Sequence, residues 1–398
     1  MSLKILSICF LSFLSMTWGA SPEIELFLDW KDQAKGQELF PLPKDAQWKE
    51  LSLLSRIRKR LIERNWEIRS WEKQSYLPWI LSWKGVHSWK DLLLWAGFNL
   101  PHPQPIKDST KYWVFWSLGP TLSEVSFANL PQDKLVLFMW EPCVVQPESH
   151  DPKIHAHFGK IFTWNDDLVD NVKYFKFHYP VLKDQITKLV PFKDKKFCTL
   201  INGRLCSKHP KQLYGEREKT IQFFEDKPGE FDLYGKFWEK RNYKNYRGPI
   251  DDKLQTLKNY KFSICYENTR DVRGYVTEKI FDCFAAQVVP VYWGASNICD
   301  YVPSNCFIDR RQFASNQELY HFLKAMTEET YAKYIEAARC FLQTPEAALF
   351  SEDHFVETFL QLVDGASPHT PPKDLSPLGS YSRLNRDLND YKIYVQRL

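Results

Sequence analysis

Several common sequence features are absent from this chain of 398 residues. None of its nine cysteines forms a Cys-x-x-Cys pair, which argues against a zinc ribbon or a thioredoxin-type redox site. The net charge is only +4, whereas dedicated nucleic-acid-binding domains usually concentrate far more basic charge. Repeats and low-complexity segments are also missing. These absences leave a globular protein that is long enough for two domains of ordinary size.

Long apolar segments are scarce as well. The run Ile5–Met16 follows Lys4 and is shorter than the roughly 20 residues that a membrane-spanning helix needs. No other segment is long and apolar enough to cross a bilayer. We therefore expect residues 1–20 to be a signal peptide that is removed, or else a short membrane anchor. Residues 367–398 contain prolines and then a basic stretch, and we expect them to form a mobile tail.

Strand and helix patterns alternate along both halves of the chain, which is typical of α/β domains. We place the first domain at residues 21–185 and the second at residues 190–366, separated by the proline-bearing, charged stretch Pro180–Lys196. The predicted strands are Trp66–Trp71, Tyr112–Trp116, Lys134–Trp140, Ile161–Trp164, Phe197–Ile201, Asp232–Tyr234, Phe262–Tyr266, Val288–Trp293 and Phe307–Ile308. The predicted helices are Trp48–Arg64, Gln212–Glu225, Asn316–Met326, Glu329–Leu342 and Ser351–Val363.

The most informative segment is Tyr260–Gly294, whose pattern is strand, polar loop, helix and strand. Its polar residues gather after the first strand and at the start of the helix, where a βαβ unit binds its ligand. Free N–H groups at a helix N-terminus favour an anion, and Lys279 lies beside that terminus. The segment therefore predicts a phosphate-binding site. The alternative is an ordinary capped helix, although the loop carries more polar groups than such a helix needs.

This segment contains YENT, GYVTEK and VVPVYWG, which resemble the donor-binding signature of the α-1,3-fucosyltransferases (glycosyltransferase family 10). The resemblance is good from about residue 111 to residue 313, where supporting blocks are FMWEP, TWNDDLVDN, LYGEREKTIQFF and YRGPIDDKLQTLKNYKF. It implies a GT-B fold, in which two Rossmann-like α/β domains face each other across a cleft. It also implies transfer of L-fucose from GDP-fucose, bound by residues 190–366, to a glycan acceptor bound by residues 21–185.

Transfer of a sugar from a nucleotide requires stabilisation of the diphosphate leaving group. Many glycosyltransferases of the other main fold use a metal held by Asp-x-Asp, and this sequence contains no Asp-x-Asp. Side-chain cations would take the metal's place, each charge-assisted hydrogen bond contributing roughly 1.5–3 kcal/mol. Lys279 is one candidate, and the resemblance adds Arg217. We therefore expect no metal or other cofactor, and the spacing of His155 and His157 completes no recognised metal site.

Four other residues of the signature are candidates for the donor site. A carboxylate beside a nucleotide can accept hydrogen bonds from ribose or sugar hydroxyls, and the resemblance implies such a role for Glu278. Asn268 is expected to hydrogen-bond the donor and Tyr275 to line the nucleoside pocket, with a half-buried packing role as the alternative for Tyr275. Glu267 is a secondary candidate that either binds donor hydroxyls or caps the loop.

The acceptor hydroxyl needs a general base, and Glu141 is the candidate. It ends an apolar strand and precedes Pro142, which interrupts the strand's hydrogen bonds, and the resemblance implies a base here. The expected mechanism is a single inverting displacement, in which Glu141 removes the proton and an α-fucoside and GDP are formed. Trp140 and Trp164 adjoin candidate site loops and are secondary candidates for contact with sugar rings.

The expected acceptor position is O3 of an N-acetylglucosamine-containing glycan such as N-acetyllactosamine, with no nucleic-acid partner and a possible membrane association. Two alternatives are a GT-B transferase that uses another nucleotide sugar and a catalytically inactive relative that binds glycans. We expect a membrane-associated or exported protein, in the Golgi of a eukaryote or at the inner membrane or periplasm of a bacterium. The absence of any Asn-x-Ser/Thr sequon favours a bacterium.

Overall fold

The computed structural model describes residues 23–28, 53–70, 110–118 and 131–364. These residues divide into two compact units. The first unit comprises residues 23–28, 53–70, 110–116 and 131–136, and the second comprises residues 117–118 and 137–364. The predicted signal or anchor and the predicted tail lie outside the described residues. Within the described ranges, no helix has both the length and the apolar character needed to cross a bilayer.

The first unit combines parallel strands with an amphipathic helix. Strand β1 (Glu23–Leu28) pairs in parallel with both β2 (Glu67–Ser70) and β3 (Thr110–Trp116). Helix α1 (Leu53–Glu63) connects β1 to β2 in sequence and buries Ile57 and Leu61, which lie on one face of a helix. The prediction of α1, β2 and β3 is confirmed, whereas β1 was not predicted because its sequence, EIELFL, lies in an acidic, proline-bearing region.

The chain continues with β4 (Leu135–Met139), helix α2 (Pro152–His155), β5 (Lys160–Thr163) and β6 (Tyr174–Lys176), and β5 pairs in parallel with β6. Aromatic packing fills this part of the core. The ring of Phe138 stacks on Phe162, with 4.5 Å between centroids, and on Phe359 at 5.6 Å. Since Phe359 belongs to the last helix of the described chain, the C-terminal end of the second unit packs on these strands.

A five-stranded sheet forms the rest of the second unit. Its strands have the order β11-β10-β9-β7-β8, and the β7–β8, β7–β9, β9–β10 and β10–β11 pairs are parallel. The strands are β7 (Lys196–Ile201), β8 (Phe231–Tyr234), β9 (Tyr260–Tyr266), β10 (Val289–Trp293) and β11 (Ile308–Asp309). The helices are α3 (Tyr214–Phe224), α4 (Lys253–Leu257), α5 (Glu278–Ala285), α6 (Asn316–Ala325), α7 (Glu328–Phe341), α8 (Pro345–Ala348) and α9 (Glu352–Asp364). Parallel strands alternating with helices confirm the predicted α/β class, while the placement of two domains across a cleft stays a prediction.

The stretch Pro180–Lys196, at which the sequence suggested a domain boundary, lies wholly within the second unit. Its backbone forms hydrogen bonds with other parts of that unit. The N–H groups of Val181 and Leu182 both donate to the Phe350 carbonyl at 2.8 Å. The ammonium of Lys195 donates to three backbone carbonyls, the shortest bond being 2.8 Å to Lys258. Proline and charge density therefore mark an extended, well-anchored surface segment here.

Candidate donor site

The strand order of the five-stranded sheet locates the site. The chain leaves β7 for β8 on one side and then returns to β9 on the other side of β7, so the loops after β7 and β9 diverge. Such a topological switch point opens a crevice at the carboxyl ends of the strands, where α/β proteins bind their ligands. A cavity of about 520 Å³ lies at this edge. Four predicted donor-site residues line it: Arg217, Asn268, Glu278 and Lys279.

Arg217 projects from α3 and is buried. Its Nη2 donates to the Tyr266 carbonyl at 2.6 Å and to Asn268 Oδ1 at 3.1 Å, so one guanidinium orders the end of β9 and the following loop. Burial lowers the pKa of Arg217 from its usual range. The Nε atom is buried and has no hydrogen-bond partner. A desolvated guanidinium with an unused donor, lining a cavity, is suited to an anionic ligand.

Lys279 lies in the first turn of α5 and is held by a buried carboxylate. Its Nζ is 3.0 Å from Glu267 Oε2 and donates to Thr277 Oγ1 at 2.9 Å. Glu267 is fully buried and also accepts bonds from Thr277 N at 2.9 Å and Thr277 Oγ1 at 2.7 Å. Burial opposes the charge on the lysine, but Glu267 and Glu278 raise the pKa of Lys279 above its usual range. Glu267 thus positions Lys279 and is not among the residues that line the cavity.

Glu278 provides a negative charge among the cations of the cavity, and its side chain is 44% exposed. Burial opposes its ionisation, yet the positive charges of Lys279 and Lys253 lower the pKa of Glu278 to about 2. Lys253, from α4, also lines the cavity and pairs with the buried Asp282 at 2.8 Å. The sequence interpretation missed Lys253, although it lies in the block YRGPIDDKLQTLKNYKF; a polar lysine in so short a helix gives no periodic signal.

Tyr275 and the two candidate tryptophans form one aromatic cluster outside the cavity lining. The ring of Tyr275 is buried and lies 4.6 Å from the ring of Trp164 and 6.0 Å from that of Tyr179. Trp164 is buried too, and its Nε1 donates to the Trp140 carbonyl at 3.2 Å, an acceptor that it shares with the Tyr179 hydroxyl. These rings support the site loops, and the structure brings Tyr275 into packing contacts.

Glu141 lies within electrostatic range of this cluster. Burial raises the pKa of Tyr179 well above its usual range, and the negative charges of Glu141, Glu267 and Glu278 raise it further. Burial also raises the pKa of Tyr275 well above its usual range. Tyr179 raises it further, and the same three carboxylates make smaller contributions. Glu141 follows β4, far from the other two in sequence, and His150 Nε2 donates to its backbone carbonyl at 2.9 Å. The candidate base and the donor motif therefore converge on the same pair of buried tyrosines.

Comparison with known proteins gives a family match for part of the chain. The C-terminal domain described as glycosyltransferase family 10 (fucosyltransferase) matches residues 190–357. This match covers less than half of the chain. An α-(1,4)-fucosyltransferase of Arabidopsis thaliana is 41% identical over 88 residues, which cover 22% of each chain.

Two further comparisons extend beyond that domain. The 4-galactosyl-N-acetylglucosaminide 3-alpha-L-fucosyltransferase 9 of Mus musculus is 28% identical over 235 residues, or 57% of this chain and 60% of the relative. The chain thus spans no more than 60% of these two relatives' lengths. A crystal structure of an α1,3-fucosyltransferase is 13% identical with a TM-score of 0.49, covering 90% of this chain and 95% of that one.

A polar network holds the loop that contains GYVTEK in place. Asp166 accepts hydrogen bonds from Lys176 Nζ at 2.6 Å, from the Tyr301 hydroxyl at 2.6 Å and from Asn297 Nδ2 at 2.8 Å. Burial opposes ionisation, but Lys176 and these hydrogen bonds lower the pKa of Asp166. Asn297 Oδ1 in turn accepts from Gly274 N at 2.9 Å. The network therefore fixes the start of GYVTEK against the strand that ends at Thr163.

His155 of the His-x-His sequence has a structural role. His155 Nε2 donates to the Ser149 carbonyl at 2.9 Å, and His155 Nδ1 lies 3.1 Å from the Tyr174 hydroxyl. Burial lowers the pKa of His155, so the ring is neutral near pH 7. Among the described residues, no group of three or more His, Cys, Asp or Glu side chains is arranged to hold a metal ion.

Proposed function

We propose that this protein is an inverting fucosyltransferase that moves L-fucose from GDP-β-L-fucose to O3 of an N-acetylglucosamine-containing glycan. The observation that carries this proposal is the charge pattern of the cavity at the β7–β9 switch point. Four cations line it, together with two carboxylates: Arg217, Lys236, Lys253 and Lys279, with Asp251 and Glu278. A nucleoside diphosphate sugar matches that pattern, because it combines a doubly charged diphosphate with neighbouring hydroxyl groups.

The cations receive the diphosphate in this proposal. Lys279 and Arg217 donate to its oxygens as negative charge develops on the leaving group, which is electrostatic stabilisation at preorganised donors. Both side chains are already held, Lys279 by Glu267 and Arg217 by Tyr266 and Asn268, so little reorganisation accompanies the reaction. Glu278 accepts hydrogen bonds from ribose or fucose hydroxyls. We expect the transfer to require no metal, since the cations that line the cavity supply the compensating charge.

Glu141 is the general base in this proposal. The acceptor O3 attacks C1 of fucose from the face opposite the diphosphate and loses its proton to the Glu141 carboxylate. The C1–O bond to the β-phosphate breaks, and its electron pair leaves with GDP. The anomeric centre inverts, so a β-linked donor gives an α-fucoside. Support comes from the position of Glu141, whose charge acts on Tyr179 and Tyr275 beside the donor motif.

The test is acceptor-dependent release of GDP by the full-length chain in the presence of EDTA. Reactions would contain GDP-fucose or GDP-mannose, with and without N-acetyllactosamine. We expect release only with GDP-fucose and acceptor together, and NMR of the product would then report the linkage. The names of the two relatives specify different linkages, α-1,4 and 3-alpha, so an O4 product would revise the acceptor position alone.

Other outcomes would overturn larger parts of the proposal. Acceptor-dependent release of GDP from GDP-mannose but not from GDP-fucose would favour a transferase that uses another nucleotide sugar. Tight binding of GDP-fucose without turnover on any N-acetylglucosamine-containing acceptor would favour an inactive glycan-binding relative. Loss of turnover in EDTA, restored by a divalent cation, would contradict the metal-independent mechanism.

We also propose that the apolar segment Ile5–Met16 directs the chain to a membrane or to export. The support is its composition, a single Lys4 followed by a mostly apolar run that contains no charged residue. Fractionation of the full chain, compared with a chain lacking residues 1–20, tests this. The full chain is expected in the membrane or exported fraction and the shortened chain in the cytosol; identical fractionation would contradict the proposal.

A further inference from the structure

Two exposed apolar side chains line the donor cavity. Among the residues that the structure describes, five large hydrophobic side chains are exposed. Two of the five, Leu205 at 50% exposure and Phe237 at 67%, line this one cavity. Single exposed apolar residues are ordinary on a protein surface, but exposed apolar residues that gather at a concave site indicate a bound ligand. The cations described above leave this apolar part of the cavity without a function.

The two loops that carry these side chains are joined to each other by hydrogen bonds. Trp238 is buried and its Nε1 donates to the Asn202 carbonyl at 2.7 Å. The N–H of Arg204 donates to the Lys236 carbonyl at 2.9 Å. Gly235 approaches the first loop so closely that a Cβ there would lie 2.0 Å from the Asn202 carbonyl oxygen. The loops after β7 and β8 therefore form one anchored unit.

The backbone of Phe237 is in an uncommon conformation. Its φ is +70°, in the left-handed region that bulky side chains rarely adopt. Phe237 N donates to Glu239 Oε1 at 3.3 Å, and the buried Trp238 fixes the next residue. The anchored loop thus keeps a strained residue whose ring is directed away from the protein core, as its exposure shows. Strain of this kind persists where surrounding contacts enforce it, and it clusters at ligand sites.

The sheet order places the two exposed apolar side chains, with Lys236 beside Phe237, at one end of the cavity and the start of α5 at the other. Phe237 follows β8, Leu205 follows β7, and Asn268 follows β9, in the spatial order β8-β7-β9. Neighbouring strands lie about 4.8 Å apart, so the ends of β8 and β9 are about 10 Å apart. Lys279 and Glu278 begin the helix that follows β9. An elongated ligand lying across these strand ends would contact the exposed apolar side chains at one end and the first turn of α5 at the other.

We propose that Leu205 and Phe237 form the nucleobase platform of the donor site, with the base stacked on the ring of Phe237. This inference rests on the proposed function and specifies how the nucleotide lies: the planar base over the β7 and β8 loops, and the diphosphate at Arg217 and Lys279. Aromatic rings bind bases through stacking that depends little on base identity. Leu205 provides a second apolar contact with the base.

The test compares the binding of GDP and of inorganic pyrophosphate by isothermal titration calorimetry. Phe237→Gly removes the ring and also relieves the positive φ, which glycine adopts freely, so the variant is expected to fold. Leu205→Ala shortens the second side chain. Leu189→Ala is the matched control, because Leu189 is 53% exposed and does not line the cavity. Phe237→Tyr retains the stacking surface.

We expect Phe237→Gly to weaken GDP binding about tenfold and Leu205→Ala to weaken it less. Pyrophosphate should bind all variants as it binds the original chain, and Phe237→Tyr and Leu189→Ala should leave both ligands unaffected. Unchanged GDP affinity in Phe237→Gly, or an equal loss for GDP and pyrophosphate, would overturn the platform. Failure of the unaltered chain to bind GDP would instead overturn the proposed function.

Discussion

Two lysines share the carboxylate of Asp282, and only one of them faces the donor cavity. Lys253 Nζ is 2.8 Å from Asp282 Oδ2 and Lys183 Nζ is 2.6 Å from Oδ1. Lys253 lines the cavity and Lys183 does not. Asp282 is buried, so its charge holds Lys253 in place even without a ligand. Substitution of Lys253 therefore tests for contact with phosphate, and substitution of Lys183 is the matched control.

We expect Lys253→Met to weaken GDP binding by at least about tenfold, because a charge-assisted hydrogen bond to phosphate contributes about 1.5–3 kcal/mol. Lys183→Met should bind GDP normally, since it removes the other partner of Asp282 outside the cavity. Titration calorimetry of both variants measures the difference. If the two variants lost the same affinity, the role of Lys253 would be to neutralise Asp282, and direct contact with phosphate would be ruled out.

Glu141→Gln tests the general base. The carboxamide has nearly the shape of the carboxylate but cannot accept the proton, so turnover should fall at least about 100-fold. GDP affinity should be unchanged, because Glu141 does not line the donor cavity. The measurements are kcat with N-acetyllactosamine and the Kd of GDP. Glu148→Gln, a carboxylate in the next turn of the chain, is the control, and near-normal turnover in Glu141→Gln would remove Glu141 from the mechanism.

The residues that could be predicted from the sequence are those that lie in dense polar motifs. Asn268, Glu278 and Lys279 follow a strand or begin a helix, which are the positions where parallel α/β units bind ligands. Phe237 could not be found in this way, because an exposed aromatic residue in an irregular loop has no periodic pattern. The supporting role of Glu267 was also not distinguishable from ligand binding, since only its burial shows that its partners are Thr277 and Lys279.

At the scale of elements, the signature loop depends on a close approach that only glycine allows. Gly274 has φ +80°, and a Cβ there would lie 2.2 Å from the Trp164 carbonyl oxygen and 2.7 Å from Asp166 Oδ1. Neither neighbour is free to move. The carbonyl continues from β5, and Asp166 is fixed by Lys176 and Tyr301.

Gly274→Ala should therefore destabilise the protein by more than the conformational penalty of a left-handed alanine, which is about 1–2 kcal/mol. Gly229→Ala provides the matched control, because Gly229 has φ +79° and a Cβ there would meet nothing within 4 Å. Chemical denaturation gives the two changes in the free energy of unfolding. A loss for Gly274→Ala no larger than that for Gly229→Ala would show that the loop accommodates the methyl group.

The unit from β9 to β10 could be predicted because each of its elements has a strong local pattern. The predicted strands Phe262–Tyr266 and Val288–Trp293 agree closely with β9 and β10. Strand β6 and helix α4 were missed because three and five residues, respectively, are too few to show a period. Such short elements are specified by tertiary contacts: β6, for example, carries Lys176, whose partner Tyr301 is remote in sequence.

At the scale of the whole molecule, the segment after β6 contacts the C-terminal part of the second unit. His178 follows β6, and its ring lies 5.1 Å from Phe350 and 5.8 Å from His354, which belongs to α9. Tyr301 also contacts it, at 5.9 Å. Burial, together with the charges of Lys176 and His354, lowers the pKa of His178 well below 6.5. A histidine that must stay neutral thus lies where the C-terminal helix packs on the strands.

The sign of the pH dependence follows from this shift. In the unfolded chain, His178 binds a proton below about pH 6.5, whereas the folded chain resists protonation. The unfolded state therefore binds more protons, and stability falls as the pH decreases from 6.5 toward the folded-state pKa. His150, His155 and His354 have lowered pKa values for the same reason, burial, and act in the same direction. The lowered pKa of Asp166 adds a further loss of stability only at more acidic pH, below the unfolded-state pKa of 3.8.

We expect the free energy of unfolding to fall between pH 7.5 and pH 5 and to fall less steeply in His178→Gln. Glutamine cannot be protonated in this range, so the variant removes one of the groups that the unfolded chain protonates. His157→Gln is the control, because this histidine is exposed on the short segment after α2. Urea denaturation at pH 7.5, 6.5 and 5.5 measures the slopes. Equal slopes for His178→Gln and the unaltered chain would mean that the ring is protonated in the folded protein, and that α9 remains packed over a charged His178.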